Sequence, residues 1–144
     1  MVYIAYGSNM VEEQMARRCP GAKFLGTGWL PNHRLEFYLH ATVERSRARG
    51  ARVPVALWEI DREHERSLDR YEGVPSYYTK RTETVVMEDG SQIEGMLYVM
   101  NLIRPHPPTL TYYAAIRDAY IRLGFGRQIG RVLIPALYRA AKRK

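Results

Sequence analysis

The stretch VYIAYGSNM, residues 2–10, joins a short apolar strand to a glycine, a serine and an asparagine, and a helix-like segment follows at once. A loop that opens a helix directs several free backbone N–H groups to one point, where they can bind an anionic group. The candidates for this role are Gly7, Ser8, Asn9 and Met10. The chemistry expected here is binding through backbone N–H groups rather than through charged side chains.

A second stretch, LDRYEGVPSYY, places Glu72 where a predicted helix gives way to a loop. Gly73 is typical of the position after a helix, and Pro75 prevents the helix from continuing. The pKa of Glu72 is expected to rise, because its carboxylate meets the negative end of the helix dipole and aromatic neighbours shield it from water. These neighbours are Tyr71, Tyr77 and Tyr78. The alternative is a solvent-exposed glutamate at a helix end.

Other reactive groups lack the patterns that their chemistry needs. The four histidines show no metal-ligand spacing, and the single cysteine, Cys19, has no partner for a disulfide. Gly7-Ser8 is not part of a G-x-S-x-G elbow, and one glycine is too few for a phosphate-binding fingerprint. We therefore expect no metal, no cofactor and no serine nucleophile.

The elements that must position these residues follow from apolar periodicity and turn signals. The predicted strands are 2–6, 24–29, 34–40, 53–59, 79–88 and 92–100, and the predicted helices are 10–18, 62–71 and 112–123. Asp61 is the expected N-cap of the second helix, Thr109 or Thr111 that of the third, and Pro135 either begins or kinks a terminal helix. Strands that mostly follow one another favour an α+β fold with a curved or barrel-like mixed sheet, in one domain over residues 1–144.

Charge is distributed unevenly along the chain. Residues 1–116 hold 14 basic and 14 acidic residues, whereas residues 117–144 hold eight basic residues against Asp118 alone, so the net charge of +7 belongs to the tail. The basic C-terminal segment 125–144 is interpreted as solvated helix, with nucleic-acid binding as the alternative. The cluster RSRARGAR, residues 45–52, is interpreted as an exposed loop, with a substrate contact as the alternative. Without a leader-like or membrane-spanning apolar run, a soluble cytoplasmic protein is expected.

Taken together, the motifs resemble the gamma-glutamylcyclotransferase-like family. The resemblance is carried by YGSN after the first strand, Glu-Gly-Val some sixty residues later, GMLYVMN at residues 95–101 and the helix YYAAIRDAYIRLG. It covers residues 2 to about 124 and ends at FGRQI, where family members often carry Leu-Pro-x-x-Tyr.

This resemblance implies a small mixed β-barrel surrounded by helices, with the YGSN loop and the glutamate facing each other across a cavity. It also implies a reaction in which the α-amine of a γ-glutamyl compound attacks its own γ-carbonyl and releases 5-oxoproline. Glu72 is then the base and acid, and the loop N–H groups bind the glutamyl carboxylate or the γ-amide oxygen. Tyr6 and Tyr78 are candidates for the cavity wall, Tyr6 being equally consistent with core, and Tyr98 is expected to be structural.

Two other functions stay open at this stage. One is a non-catalytic domain of the same fold that binds a ligand or partner in the cavity, and the other is a nucleic-acid-binding module that uses the basic tail. The leaving amine or amino acid and the oligomeric state are left open by the sequence.

Overall fold

The computed structural model describes residues 1–101 and 104–142. The strands are β1 Val2–Ala5, β2 Lys23–Pro31, β3 His33–Tyr38, β4 His40–Arg45, β5 Arg52–Glu59, β6 Tyr78–Met87 and β7 Gln92–Met100. The helices are α1 Glu12–Arg18, α2 Arg62–Glu72, α3 Leu110–Arg122 and α4 Ile134–Lys142, with a 3-10 turn at Ser8–Met10 and a π-helical segment at Ile129–Leu133.

Five strands close into a barrel in the order β1-β5-β2-β6-β7. The pairs within this order are antiparallel, and the barrel closes through a parallel contact between Tyr3 of β1 and Met96 of β7. Its interior is filled by apolar side chains that are fully buried, among them Ile4, Val55, Leu57, Val85 and Leu97. The predicted α+β fold built on a mixed β-barrel is confirmed.

The β6–β7 hairpin is the longest pairing of the barrel, running from Tyr78–Met100 to Val86–Gln92. Its turn contains Asp89, whose carboxylate accepts the Ser91 N–H, and Gly90, whose φ of 87° suits glycine. The hairpin predicted from Asp89-Gly90 is confirmed to within one residue at each end.

Helix α2 begins at the predicted residue, Arg62, and ends at Glu72, one residue later than predicted. The Asp61 carboxylate accepts the His64 backbone N–H, and the His64 ring accepts the Asp61 N–H, which forms a reciprocal cap. Gly73 ends the helix in the left-handed conformation, with φ 64°. Because Glu72 is the last residue of α2, these two caps fix its position along the chain.

The predicted helix 10–18 is wrong at its beginning. Ser8–Met10 forms a separate 3-10 turn in which the Met10 N–H donates to Gly7 O at 3.1 Å, and Val11 is extended, so α1 starts at Glu12. The predicted strand 34–40 is likewise two strands, because Leu39 adopts φ 70° and the chain reverses there into β4, which pairs with β3 outside the barrel. Neither break is signalled by glycine or proline.

Beyond β7, Thr109 is the N-cap of α3, its hydroxyl accepting the Tyr112 N–H. Pro135 is the second residue of α4, and the π-helical segment Ile129–Leu133 leads directly into this helix, so Pro135 follows its beginning rather than marking it. It has no N–H to donate, and the change from π-helical to α-helical pairing falls beside it. No helix within residues 1–101 and 104–142 has the length and apolar character needed to cross a membrane.

Part of the basic excess of the tail is used within the protein. The Arg122 guanidinium binds the Glu13 carboxylate at 2.7 Å, and Arg139 binds Glu36 at 2.6 Å and the Leu35 carbonyl at 2.8 Å. These contacts fasten α3 to α1 and α4 to β3. Arg143 and Lys144, counted in the basic segment, lie outside the described residues.

Candidate active site

A cavity of about 450 Å³ lies between the first turn of the chain, the ends of α1 and α2, and the beginning of α3. Its volume is in the range that small-molecule ligands occupy. Seven tyrosines line it, namely Tyr3, Tyr6, Tyr71, Tyr77, Tyr78, Tyr98 and Tyr112. The walls are therefore aromatic surfaces that also carry hydroxyl groups.

Glu72 enters this cavity from the end of α2. Its carboxylate has no hydrogen-bond or ion-pair partner among residues 1–101 and 104–142. Burial raises the pKa of Glu72 from its ordinary value of 4.5 to about 7, and the positive charge of Arg18 opposes this rise. The rise predicted from the sequence therefore has desolvation as its cause, and near neutral pH the group can both accept and donate a proton.

The 3-10 turn brings three of its four candidate residues to the cavity. Gly7, Ser8 and Asn9 line it, and their backbone N–H groups have no acceptor in the described part of the chain. The structure does not bring Met10 there, because its N–H is bonded to Gly7 O and its buried side chain lines a different cavity beside Cys19. The N–H donors available to an anion are thus those of Gly7, Ser8 and Asn9.

The side chain of Asn9 holds the turn in place. Its Nδ2 donates to the Tyr3 hydroxyl at 2.9 Å, and its Oδ1 accepts from Nη1 of Arg18 at 2.7 Å. The backbone carbonyl of Asn9 accepts a hydrogen bond from Nε1 of Trp58 at 3.1 Å. These bonds tie the turn to β1, α1 and β5.

Tyr6 and Tyr78 are buried, and both are part of the cavity wall. The Tyr6 hydroxyl donates to the Tyr98 carbonyl at 2.6 Å, and the Tyr78 hydroxyl donates to the Ala41 carbonyl at 2.7 Å. Burial raises the pKa of both phenols above their ordinary value, so they stay protonated. Tyr6 is thus core and wall at once, and both side chains offer aromatic surface to a ligand while their protons are engaged.

Several cavity residues were not predicted from the sequence, among them Arg18, His40 and Tyr112. The Tyr112 hydroxyl accepts the Ala41 N–H at 3.1 Å, and its own proton has no acceptor among the residues that the structure describes. His40 Nδ1 and the Tyr77 hydroxyl share a hydrogen bond of 2.8 Å. Of these residues, only Arg18 had a signal in the sequence for its place in the cavity. It lies four residues after Gln14 on the helix that follows the turn, and residues at this spacing share one face of a helix.

The basic cluster 45–52, a further sequence candidate, lies away from the cavity. In the basic cluster 45–52, Arg45 binds Glu83 at 2.8 Å and Arg52 lies over the ring of Trp29 at 3.5 Å. Neither lines the cavity, so the structure does not bring this cluster to a substrate there. Tyr98 does line the cavity, and its hydroxyl donates to Asp69 at 2.7 Å, a bond between β7 and α2 that agrees with its predicted structural role.

Comparison with known proteins shows which family this chain belongs to. A family model described as gamma-glutamyl cyclotransferase, AIG2-like, matches residues 3–115, which contain both the turn and Glu72. The chain belongs to this family. The family suggested by YGSN and Glu-Gly-Val is thereby confirmed.

The relatives that this chain matches carry consistent names. It is 30% identical to a gamma-glutamylcyclotransferase of Bos taurus over 128 residues, which are 80% of this chain and 67% of the relative. A human gamma-glutamylcyclotransferase is 30% identical over 124 residues, 77% of this chain and 65% of the relative. The chain spans about two thirds of the length of these relatives. A solved structure named gamma-glutamyl cyclotransferase has a TM-score of 0.79 at 24% identity and covers 99% of this chain and 87% of its own, which shows the fold.

Proposed function

We propose that this protein is a cyclotransferase that cleaves a γ-glutamyl amide and releases 5-oxoproline together with an amine or amino acid. The observation that carries the proposal is Glu72, an unpaired carboxylate whose pKa of about 7 is set by burial, in one cavity with the free N–H groups of the turn. Membership of the family and the names of the relatives support the same reaction.

The reaction needs a proton carrier more than a nucleophile. The Glu72 carboxylate takes a proton from the substrate's α-ammonium, and the freed amine attacks the γ-carbonyl carbon to close a five-membered ring. The Glu72 carboxyl then gives its proton to the departing nitrogen as the carbon–nitrogen bond breaks. The ring nitrogen loses its second proton to the same carboxylate, which passes it to the released amine, so the amine leaves as an ammonium and Glu72 returns to its starting state. Because nucleophile and electrophile belong to one molecule, the protein supplies orientation and proton transfer without a covalent intermediate.

The turn supplies electrostatic stabilisation. Backbone N–H groups of Gly7, Ser8 and Asn9 can donate to the substrate carboxylate or to the γ-carbonyl oxygen as negative charge develops on it. The Tyr112 hydroxyl lies beside Gly7, since a Cβ on Gly7 would be 3.4 Å from its oxygen. It is a further donor for the same oxygen.

The test is a panel of γ-glutamyl amino acids, γ-glutamyl amines and γ-glutamyl-lysine, each assayed for release of 5-oxoproline. We expect turnover of at least one class by the unmodified protein and loss of that turnover in Glu72→Gln. If no compound is turned over although 5-oxoproline binds in the cavity, the reaction is refuted, and a non-catalytic domain of the same fold takes its place.

A further inference from the structure

The cavity contains a positive charge that has no acidic partner within residues 1–101 and 104–142. Arg18 is half-buried there, and it is the one arginine or lysine among the lining residues that the structure describes. No carboxylate of residues 1–101 and 104–142 lies within ion-pair distance of its guanidinium. An arginine of this kind is suited to bind an anion from outside the protein, since its planar fork matches the geometry of a carboxylate.

Two contacts orient the Arg18 guanidinium within the cavity. Its Nη1 donates to Oδ1 of Asn9 at 2.7 Å, and its central carbon lies 3.9 Å from the centre of the Tyr71 ring. The other guanidinium N–H groups have no acceptor in the described segments. The side chain is thus held in one position with donors left over for a ligand.

The backbone fixes Arg18 relative to Glu72. The Ser67 hydroxyl of α2 donates to the Arg18 carbonyl at 2.6 Å, and Nε2 of His64 donates to the Pro20 carbonyl at 2.6 Å. These bonds join the end of α1 to α2, the helix that carries Glu72. The two opposite charges are near enough for Arg18 to influence the carboxyl group of Glu72.

We infer that Arg18 binds the α-carboxylate of the glutamyl group while Glu72 takes the proton of its α-ammonium. The inference rests on the proposed function and assigns the two charges of the substrate's zwitterionic end. The ammonium and the carboxylate are bonded to the same α-carbon. A base that reaches the ammonium therefore has the carboxylate close by, where a cation can bind it. One negative and one positive side chain, fixed to each other through α1 and α2, match that arrangement.

The assignment also leaves the N–H groups of the turn with one role. When Arg18 holds the carboxylate, the N–H groups of Gly7, Ser8 and Asn9 are left for the γ-carbonyl oxygen, which is where charge develops during the reaction. The two roles that the sequence left open for these groups are thereby reduced to one. The carboxylate also remains in 5-oxoproline, so the product should depend on Arg18 as the substrate does.

Binding of two lactams tests the inference without turnover. 5-Oxoproline and 2-pyrrolidinone share one ring, and only the first has the carboxylate. We expect calorimetry to show that the unmodified protein binds 5-oxoproline about 10- to 100-fold more tightly than 2-pyrrolidinone, and that Arg18→Gln reduces this preference to about threefold or less. Unchanged binding of 2-pyrrolidinone by Arg18→Gln would show that its cavity is intact.

The matched control is Arg17→Gln. Arg17 is the preceding residue of α1, is exposed, binds Gln14 and does not line the cavity, so this variant should keep the full preference for 5-oxoproline. The inference is overturned if Arg18→Gln retains the preference, if Arg17→Gln loses it equally, or if the unmodified protein has none.

Kinetics separate this inference from the proposed function. For a γ-glutamyl amide, Arg18→Gln should raise KM at least tenfold, whereas for the 4-aminobutyryl analogue, which lacks the α-carboxylate, KM should stay within about threefold. An Arg18-dependent preference for 5-oxoproline in a protein that turns over no γ-glutamyl compound would support the binding assignment and refute the reaction. If the unmodified protein and Arg18→Gln both turn over the two substrates, and the ratio of the two KM values is the same in both proteins, the binding assignment alone is refuted.

Discussion

Glu72 and Glu36 are both glutamates withdrawn from water, and their surroundings differ. Glu36, 6% exposed on β3, forms an ion pair with Nε of Arg34 at 3.2 Å and accepts a hydrogen bond from Nε of Arg139 at 2.6 Å. Glu72, at the end of α2, has no such partner among the residues described. The first carboxylate connects α4 to β3, and the second faces a cavity.

The difference shows how burial alone fails to identify a reactive group. A buried charge is costly unless it is paired, and a paired carboxylate can connect parts of the fold. An unpaired one instead keeps its proton to higher pH, as the pKa of about 7 for Glu72 shows. In this protein the missing partner distinguishes the candidate catalytic carboxylate from the structural one.

The largest effect is expected from exchanging each carboxylate for an amide. Glu72→Gln keeps the shape of the cavity and removes the proton carrier, so kcat for 5-oxoproline release should fall about 10³–10⁴-fold, at the upper end for acid–base catalysis. Glu36→Gln, the control, should leave kcat of the folded protein within about twofold and lower the free energy of unfolding by about 1–3 kcal/mol, because two arginines lose a charged acceptor. Steady-state kinetics and urea unfolding would measure the pair. Equal losses of kcat in the two variants would remove the distinction.

A smaller effect is expected at the turn. Gly7 has φ −121°, and a Cβ there would be in ordinary van der Waals contact, 3.4 Å from the Tyr112 oxygen and 3.6 Å from the Ala41 Cβ, so only a larger side chain would lack space. The branched side chain of Gly7→Val should extend into the cavity and raise KM about 10- to 100-fold, a loss typical of a misplaced reacting group. Ser8→Ala should change KM by about threefold or less, because the N–H is kept. The KM values of the two folded variants test this difference. Similar mild changes in both variants would show that YGSN is an ordinary turn.

The pH dependence of stability should report the raised pKa of Glu72. The folded chain holds the Glu72 proton up to about pH 7, whereas the unfolded chain releases it near 4.5. The unmodified protein therefore loses stability from this group as pH rises through that window. Glu72→Gln lacks the loss, so its Tm relative to the unmodified protein should increase by a few degrees between pH 4 and pH 8. Calorimetric scans at both pH values measure the change, and a constant Tm difference would contradict the raised pKa.

The smallest effect is expected from metal chelation and thiol alkylation. Within the described segments no three side chains of His, Cys, Asp or Glu come together as a metal site. Cys19 is buried, and burial raises the pKa of its thiol to about 11, which disfavours the reactive thiolate. Activity should stay within about 20% after either treatment. A loss in chelator that one added metal restores would show that Glu72 does not act alone.

The sequence predicted best what local signals specify. Asp61 is the N-cap of α2 and Gly73 is its C-cap, and Asp89 and Gly90 form the β6–β7 turn. Each of these residues acts through contacts with residues close along the chain. Glu72 was found for the same reason, because its place before Gly73 is local. The break at Leu39 could not be predicted, since a non-glycine residue with φ 70° leaves no sequence signal.

The rest of the site depends on contacts between distant segments. Arg18 faces Glu72 because Ser67 and His64 join α1 to α2, and Tyr112 reaches Gly7 from α3. Met10 was assigned to the site because the turn was taken for the first turn of a helix, whereas its N–H is used within the 3-10 turn. Tertiary packing, rather than local propensity, decides these positions.

The pH profile of kcat/KM for 5-oxoproline release tests most directly whether Glu72 is the proton carrier. The base must be ionised to act, so kcat/KM should rise tenfold per pH unit below about pH 7 and level above it, reporting the Glu72 pKa in the free protein. Removing the positive charge in Arg18→Gln should move this limb to higher pH, and Glu72→Gln should abolish it. A limb near pH 4.5, or the same limb in Glu72→Gln, would contradict the assignment.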